Sequence, residues 1–227
     1  MRRKRRYFLK TILRYSIIFL TISFFFTSIQ VITFSLVNPP FTPLMVYRLV
    51  TKEGMNHTWR SLSKISPFLQ QAVLASEDQL FLAHNGFDFN QIDQALQEHA
   101  KKKRWRGAST ISMQVARNLF LWQGYSWARK ILEAYYTILI EQLWSKERIL
   151  EMYLNSAEWG RGIFGAEAAA RHYFNCSADS LSRDQAALMA AVLPNPRRWS
   201  PARPTSYILK RKAFILEQMY KFRPLRK

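Results

Sequence analysis

Residues 77–88 read EDQLFLAHNGFD, and the adjacent carboxylates Glu77 and Asp78 close an apolar run whose spacing predicts a helix. A carboxylate held against apolar surface has its charged form disfavoured, which makes it a better proton acceptor near neutral pH. His84 and Gly86 follow within a turn or two, adding a second titratable group and a backbone position free to turn sharply. The same letters would also serve a helix end with a solvated acidic tip. Taken alone, the stretch leaves both readings open.

Three further clusters hold residues that chemistry could use. In GASTISMQVARN, 107–118, Gly107 permits close backbone approach, and Ser109 and Thr110 place hydroxyls and free N–H groups at a helix start, where anions are stabilised. Gln114, Arg117 and Asn118 then share one helix face at i, i+3 and i+4. This could cradle a pyrophosphate or simply be a capped helix with a polar outer face. In RKILE, Arg129 and Lys130 lie four and three residues before Glu133. That is the spacing of a surface ion pair, or of a carboxylate held by cations that also face an anionic ligand. SKERILEMYLN at 145–155 and EWGRGIFGAEAAARHYF at 158–174 read as scaffold, with glycines breaking the helix series before an alanine-rich helix. His57, His84, His99 and His172 show no paired ligand spacing, so no metal site is assigned. Cys176 is the only cysteine, which excludes an intrachain disulfide.

The elements that must position these groups are helices. Ser66-Pro67 starts one that carries the chain to Glu77, with Phe68, Ala72 and Ala75 on one face. A polar helix is expected over 90–100, followed by a basic run at 101–104 that reads as a solvated loop or a phosphate contact. Ser109-Thr110, Ser126 and Ser145 can each cap a further helix, Ser182 and Gln185 have capping-box spacing, and a last basic helix is expected over 206–222. Without clear runs of alternating strands, residues 61–227 are expected to form an all-α domain. Residues 38–60, with Pro39, Pro40 and Pro43, read as a linker with room for a short hairpin or extended piece.

Upstream, residues 15–37 contain no charged side chain. As a helix they would span roughly 34 Å, enough to cross a bilayer core of about 30 Å. The run is longer than a signal-peptide core and ends in Asn38-Pro39-Pro40, which favours an uncleaved transmembrane helix. Residues 1–14 form a basic tail holding Arg2, Arg3, Lys4, Arg5, Arg6, Lys10 and Arg14, so the N-terminus is expected in the cytoplasm and the domain outside it. The formal charge is +19, and the part after the span remains strongly basic. On the far side of a membrane this fits anionic lipid or a phosphate-bearing substrate, and nucleic acid is not expected as a partner.

EDQLFLAHNGFD, GASTISMQVARN, RKILE, SKERILEMYLN and GRGIFGAEAAARHYF resemble, in sequence and in order, the five motifs of the peptidoglycan glycosyltransferases, over about residues 40–220. The single span and the lack of room for a transpeptidase domain fit the monofunctional branch. The resemblance implies a lysozyme-like, two-lobed helical fold with a large lobe and a small membrane-proximal jaw. It implies polymerisation of lipid II into glycan strands at the bacterial inner membrane, with inversion and release of undecaprenyl pyrophosphate. Glu77 matches the general base and Glu133 the second family glutamate. Arg117, Arg129 and Lys130 match pyrophosphate-facing cations, with magnesium or manganese as an optional companion. Ser109, Thr110, Gln114 and Asn118 match donor-site contacts or supports, and Asp78, His84 and Gly86 supporting parts of the first motif. Cell-wall synthases or division proteins are the expected protein partners. Met113 and Arg117 depart from the pattern, which usually has Gln and Lys there. A membrane-anchored lysozyme-like hydrolase acting on finished glycan is the alternative; it would need a glutamate but not the cations. Phe81-Leu82 and Leu119-Phe120-Leu121-Trp122 could pack in the core or dock on a bilayer.

Overall fold

The computed structural model describes residues 2–102, 109–124 and 126–223, and the chain divides into two compact units, Met1–Pro39 and Pro40–Lys227. The first is a single helix, α1 (Arg2–Leu36), whose stretch Tyr7–Leu36 is long and apolar enough to cross a membrane. Its large apolar side chains, Phe19, Leu20 and Phe26 among them, are exposed. Hydroxyls that would weaken the span return hydrogen bonds to its own backbone. Thr27 donates to the Ser23 carbonyl at 3.0 Å, Thr33 to Ile29 at 2.8 Å and Ser35 to Ile32 at 2.7 Å. The polar atoms thus stay satisfied without water.

The second unit opens with α2 (Pro43–Val50), inside the segment expected as a linker. Thr42 caps it by accepting from the Met45 N–H, and proline stands in its first turn. Leu44 and Met45 are buried and pack with Phe164 and Met55. The sequence reading missed this helix because a proline after a proline pair looks like an interruption, whereas here Pro43 begins an element. Strand β1 (Asn56–His57) follows.

Most caps fall where the sequence places them. Ser66 caps α3 (Pro67–Glu77), and α4 (Phe89–Lys102) follows. Thr110 caps α5 (Ile111–Phe120), Ser126 caps α6 (Trp127–Leu143) and Ser145 caps α7 (Lys146–Ser156). Each side-chain cap satisfies an orphan N–H and contributes about 1 kcal/mol. The glycine-rich stretch then forms β2 (Glu158–Gly160) and β3 (Ile163–Phe164). β3 pairs antiparallel with β2 and parallel with β1, in register Asn56 to Ile163 and His57 to Phe164. Gly162, at φ 66°, makes the tight turn: a Cβ there would lie 2.7 Å from the Glu53 and Gly54 carbonyl oxygens. This small sheet was not expected from strands of two or three residues.

α8 (Ala166–Phe174), α9 (Arg183–Val192), with the Ser182–Gln185 capping box, and α10 (Ser206–Gln218) complete the unit. α10 begins at Ser206 as expected, capped by Thr205, and ends at Gln218, short of the expected Phe222. On α3, Ala72 and Ala75 are buried as expected, but Phe68 is exposed and Gln70 is buried, donating to the Leu62 and Ile65 carbonyls. α3 packs against α9 and α10, while α5 packs against α6, α7 and α2. Ala186, Ala187, Ala190 and Ala191 are fully buried on α9, and such small side chains let neighbouring backbones approach closely. The C-terminal end of α3 meets the middle of α5 where these two helical groups join.

Candidate active site

Glu77 is the last residue of α3 and is half-buried. Its Oε2 accepts from the Gln114 carboxamide at 3.0 Å and its Oε1 from the Ser76 hydroxyl at 3.2 Å. Burial pushes its proton affinity up, and the opposing influence of Gln114, Ser76, Arg211 and Arg117 does not cancel that. On the other side of Gln114, the Tyr153 hydroxyl donates to Oε1 at 3.4 Å. Tyr153 is buried, and burial together with the nearby Glu77 charge holds its phenol protonated well above the ordinary range.

Two cavities meet across the Glu77–Gln114 bond. One, of about 590 Å³, is lined by Glu77 with Gln79, Asn90, Gln91, Gln94 and Arg211. The other, of about 340 Å³, is lined by Gln114 with Arg117, Asn118, Gln123, Arg129 and Glu158. The first sets amides around the carboxylates Glu77, Asp78 and Asp88, with Arg211 beside them. The second presents three guanidinium groups, those of Arg48, Arg117 and Arg129, the first of them paired with Glu158. Arg129 is buried and its Nε has no hydrogen-bond partner, as is the case for the Gln123 amide nitrogen. Buried donors left open in this way favour an anionic or oxygen-rich ligand.

The loop after Glu77 is held by the rest of motif one. Asp78 is buried and takes His84 Nε2 at 2.9 Å and the Ile111 N–H at 2.9 Å, which ties the loop to the start of α5. Because His84 Nδ1 accepts from the Gly86 N–H at 3.1 Å, the imidazole is assigned as the neutral tautomer with its proton on Nε2. Thr110 donates to the Gly86 carbonyl at 2.6 Å, and Lys146 donates to the His84 carbonyl at 2.7 Å. Gly86 has φ 92°, and a Cβ there would stand 2.7 Å from Thr137 Cγ2 on α6. The loop is therefore pinned to three helices.

Glu133 is buried on α6, where both Arg129 and Lys130 donate to its carboxylate. It does not line either cavity; it stands behind Arg129, which does. Lys130 is more exposed than Arg129. Of the other sequence-selected residues, Thr110 is committed to the loop and to its cap, and Ser109 is half-buried just before it. Gly107 and the Lys103-Arg104 end of the basic run lie outside the described residues. Met113 is buried and lines neither cavity, so the family's usual amide at that position leaves no gap in the cavity wall here. Among the docking candidates, Phe81, Leu119 and Leu121 are core residues, whereas Leu82 and Trp122 are exposed.

The profile of the transglycosylase family matches residues 45–220. The chain belongs to the peptidoglycan transglycosylase family. A biosynthetic peptidoglycan transglycosylase of Bacteroides thetaiotaomicron is 51% identical over 228 residues, covering 96% of this chain and 92% of the relative. One from Pseudomonas fluorescens is 54% identical over 195 residues, covering 83% and 81%, and one from Chromohalobacter salexigens is 57% identical over 166 residues, covering 73% and 71%. Within this transglycosylase the sequence reading overlooked Ser76, Tyr153, Lys146 and Arg211. Lys146 and Tyr153 sit in a quoted motif that was read as scaffold. Ser76 directly precedes Glu77, and Arg211 lies in a basic helix whose charges look alike in one dimension.

Among the described residues no group of three or more His, Cys, Asp or Glu side chains gathers to hold a metal ion. The arginine-rich cavity contains one carboxylate, Glu158, and Arg48 binds it at 3.0 Å. That donor set does not suit a resident divalent cation.

Proposed function

We propose that the chain polymerises lipid II into glycan strands, with Glu77 as general base. An acceptor 4-hydroxyl approaching from the amide-lined cavity gives its proton to Glu77 as its oxygen attacks the donor's anomeric carbon. The bond from that carbon to the pyrophosphate oxygen breaks on the opposite face, so the new linkage is inverted. Undecaprenyl pyrophosphate leaves with the bonding electrons. Negative charge grows on the leaving group, and Arg117 and Arg129, with Lys130 nearby, supply fixed positive charge there. Glu133 acts by holding Arg129 and Lys130 in place. Asp78, His84 and Gly86 fix the loop that follows the base; Thr110 ties that loop to α5, with Ser109 beside it, and Gln114 and Asn118 line the donor side. A magnesium or manganese ion could accompany the pyrophosphate as part of the substrate, and no step is assigned to it.

The observation that carries this reading is the partition itself. One hydrogen bond, Glu77 to Gln114, separates a cavity in which no cation among the described residues directly bonds Glu77 from a cavity lined by Arg48, Arg117 and Arg129. A hydrolase of finished glycan has a sugar hydroxyl as leaving group, which needs a proton rather than cations.

In the same reading, residues 1–14 are cytoplasmic, 15–37 span the bacterial inner membrane, 38–60 connect, and 61–227 are the catalytic domain outside the cytoplasm. The domain works as a large lobe with a small jaw expected at the membrane, and the growing strand and cell-wall synthases or division proteins are its company. The apolar helix, the cation-free stretch after its basic start and the family membership support this arrangement. Purified full-length protein given lipid II in detergent or liposomes should yield glycan polymer and free undecaprenyl pyrophosphate. Shortening of finished glycan with lipid II left intact would instead establish the hydrolase.

A further inference from the structure

Helix α10 lies outside the five motifs, yet one of its side chains reaches the base. Ile208 and Ile215 are its buried apolar positions, and Arg211 falls between them at i+3 and i−4, on the face turned to α9 and α3. Its Nε donates to the Ala191 carbonyl at 3.2 Å, and its Nη2 donates to the Ser76 hydroxyl at 3.2 Å. The Ser76 hydroxyl then has its single proton shared between Glu77 Oε1 and the Ala190 carbonyl, each at 3.2 Å. Arg211 also lines the amide-rich cavity beside Glu77.

This is a demanding place for a carboxylate. Glu77 ends α3, and Ala190 and Ala191 belong to the last turn of α9, so two helix C-termini with their partial negative charge converge on it. A cation is the group that offsets such ends, and Arg211 is a cation bonded to one of them. We infer that Arg211 is a positioning residue for the base: acting through Ser76, it holds Glu77 Oε1 opposite the Gln114 contact and keeps the carboxylate ionised beside two helix ends. The inference rests on Glu77 being the base.

The other groups facing Glu77 are Arg117 from α5, Tyr153 from α7, and Asp78 and Asp88 from the following loop. Arg117 also favours the ionised form. Arg211 differs from Arg117 in being coupled to the carboxylate by a hydrogen-bonded hydroxyl.

The test is the pH profile of kcat/KM for lipid II polymerisation by the full-length chain and four variants. Arg211→Gln should move the acid limb up by about half a pH unit, which lowers kcat/KM about threefold on the acid side, so that the deficit narrows as pH rises. Arg211→Lys keeps the charge and should leave the limb near the parent position. Ser76→Ala should move the limb in the same direction as Arg211→Gln, by less. A folded Arg211→Gln protein whose limb does not move, or whose rate falls equally at every pH, overturns the inference and leaves Arg211 a clamp for α10. Should Arg211→Gln fail to fold, the Ser76→Ala limb decides, and an unmoved limb there overturns it equally. Glu77→Gln in the same series separates the two claims. An active Glu77→Gln protein removes the base and this inference with it, whereas an inactive one beside an unmoved Arg211→Gln limb removes the inference alone.

Discussion

Of the two glutamates at this site Glu133 is buried and Glu77 half-buried against a cavity, and their surroundings differ in one respect that divides the work. Glu133 has two cations bonded to it, Arg129 and Lys130, at i−4 and i−3 on its own helix. Glu77 has an amide and a hydroxyl, with Arg211 and Arg117 acting from further away. A carboxylate whose two oxygens each accept from a cation has its lone pairs occupied, so it is poorly placed to take a proton from a substrate. A carboxylate desolvated without a directly bonded cation has its proton affinity raised and keeps lone pairs available. The same residue type thus serves as a fastener on α6 and as a base on α3.

The largest effect that could break this comparison is on stability. Glu133→Gln would leave Arg129 buried with its charge uncompensated, and breaking such a pair costs about 3–5 kcal/mol. Chemical denaturation of the detergent-solubilised protein should show that loss, together with weakened polymerisation. A Glu133→Gln protein as stable and active as the parent would mean that Glu133 fastens nothing.

Next is the donor side. Arg117→Gln should reduce kcat/KM by about 100-fold, on the scale of losing one preorganised charge contact in a catalytic site. Its stability should barely change, because Arg117 faces a cavity. Arg117→Lys restores the residue usual in the family and should keep most of the activity, with less bidentate grip on phosphate. Equal losses in both variants would argue that guanidinium geometry matters here more than charge.

The smallest effect sharpens the Glu77 side. Burial raises its folded-state pKa above the ordinary value of 4.5, so the folded chain holds that proton to higher pH than the unfolded chain does. Ionising Glu77 therefore costs stability as pH rises from about 4.5 through the folded-state value, and the cost is complete above it. Glu77→Gln escapes this cost. Its melting temperature should exceed the parent's at pH 8, and the gap should close towards pH 4. A gap of the opposite sign would mean that the carboxylate is stabilised by its surroundings.

Much of the site was legible in the sequence because local spacing governs it. The Arg129, Lys130 and Glu133 triad is an i, i+3, i+4 matter within one helix, and Gln114, Arg117 and Asn118 share a face for the same reason. Caps at Ser66, Thr110, Ser126, Ser145 and Ser182 were equally local. What escaped depends on contacts distant in the chain. Arg211 reaches Ser76 across 135 positions, and Tyr153 meets Gln114 across 39. β1 pairs with β3 more than a hundred residues away, through strands too short to show an alternating pattern. Thr110, matched to the donor site by resemblance, turns inward because its hydroxyl completes the Gly86 loop.

The central claim is that one proton passes from the acceptor hydroxyl to Glu77. Lipid II polymerisation by Glu77→Gln, with folding verified by its melting curve, tests it most directly. Removing a positioned general base should cut the rate by at least about 100-fold across the pH range while lipid II binding persists. Polymerisation at the parental rate by the folded variant would contradict the account.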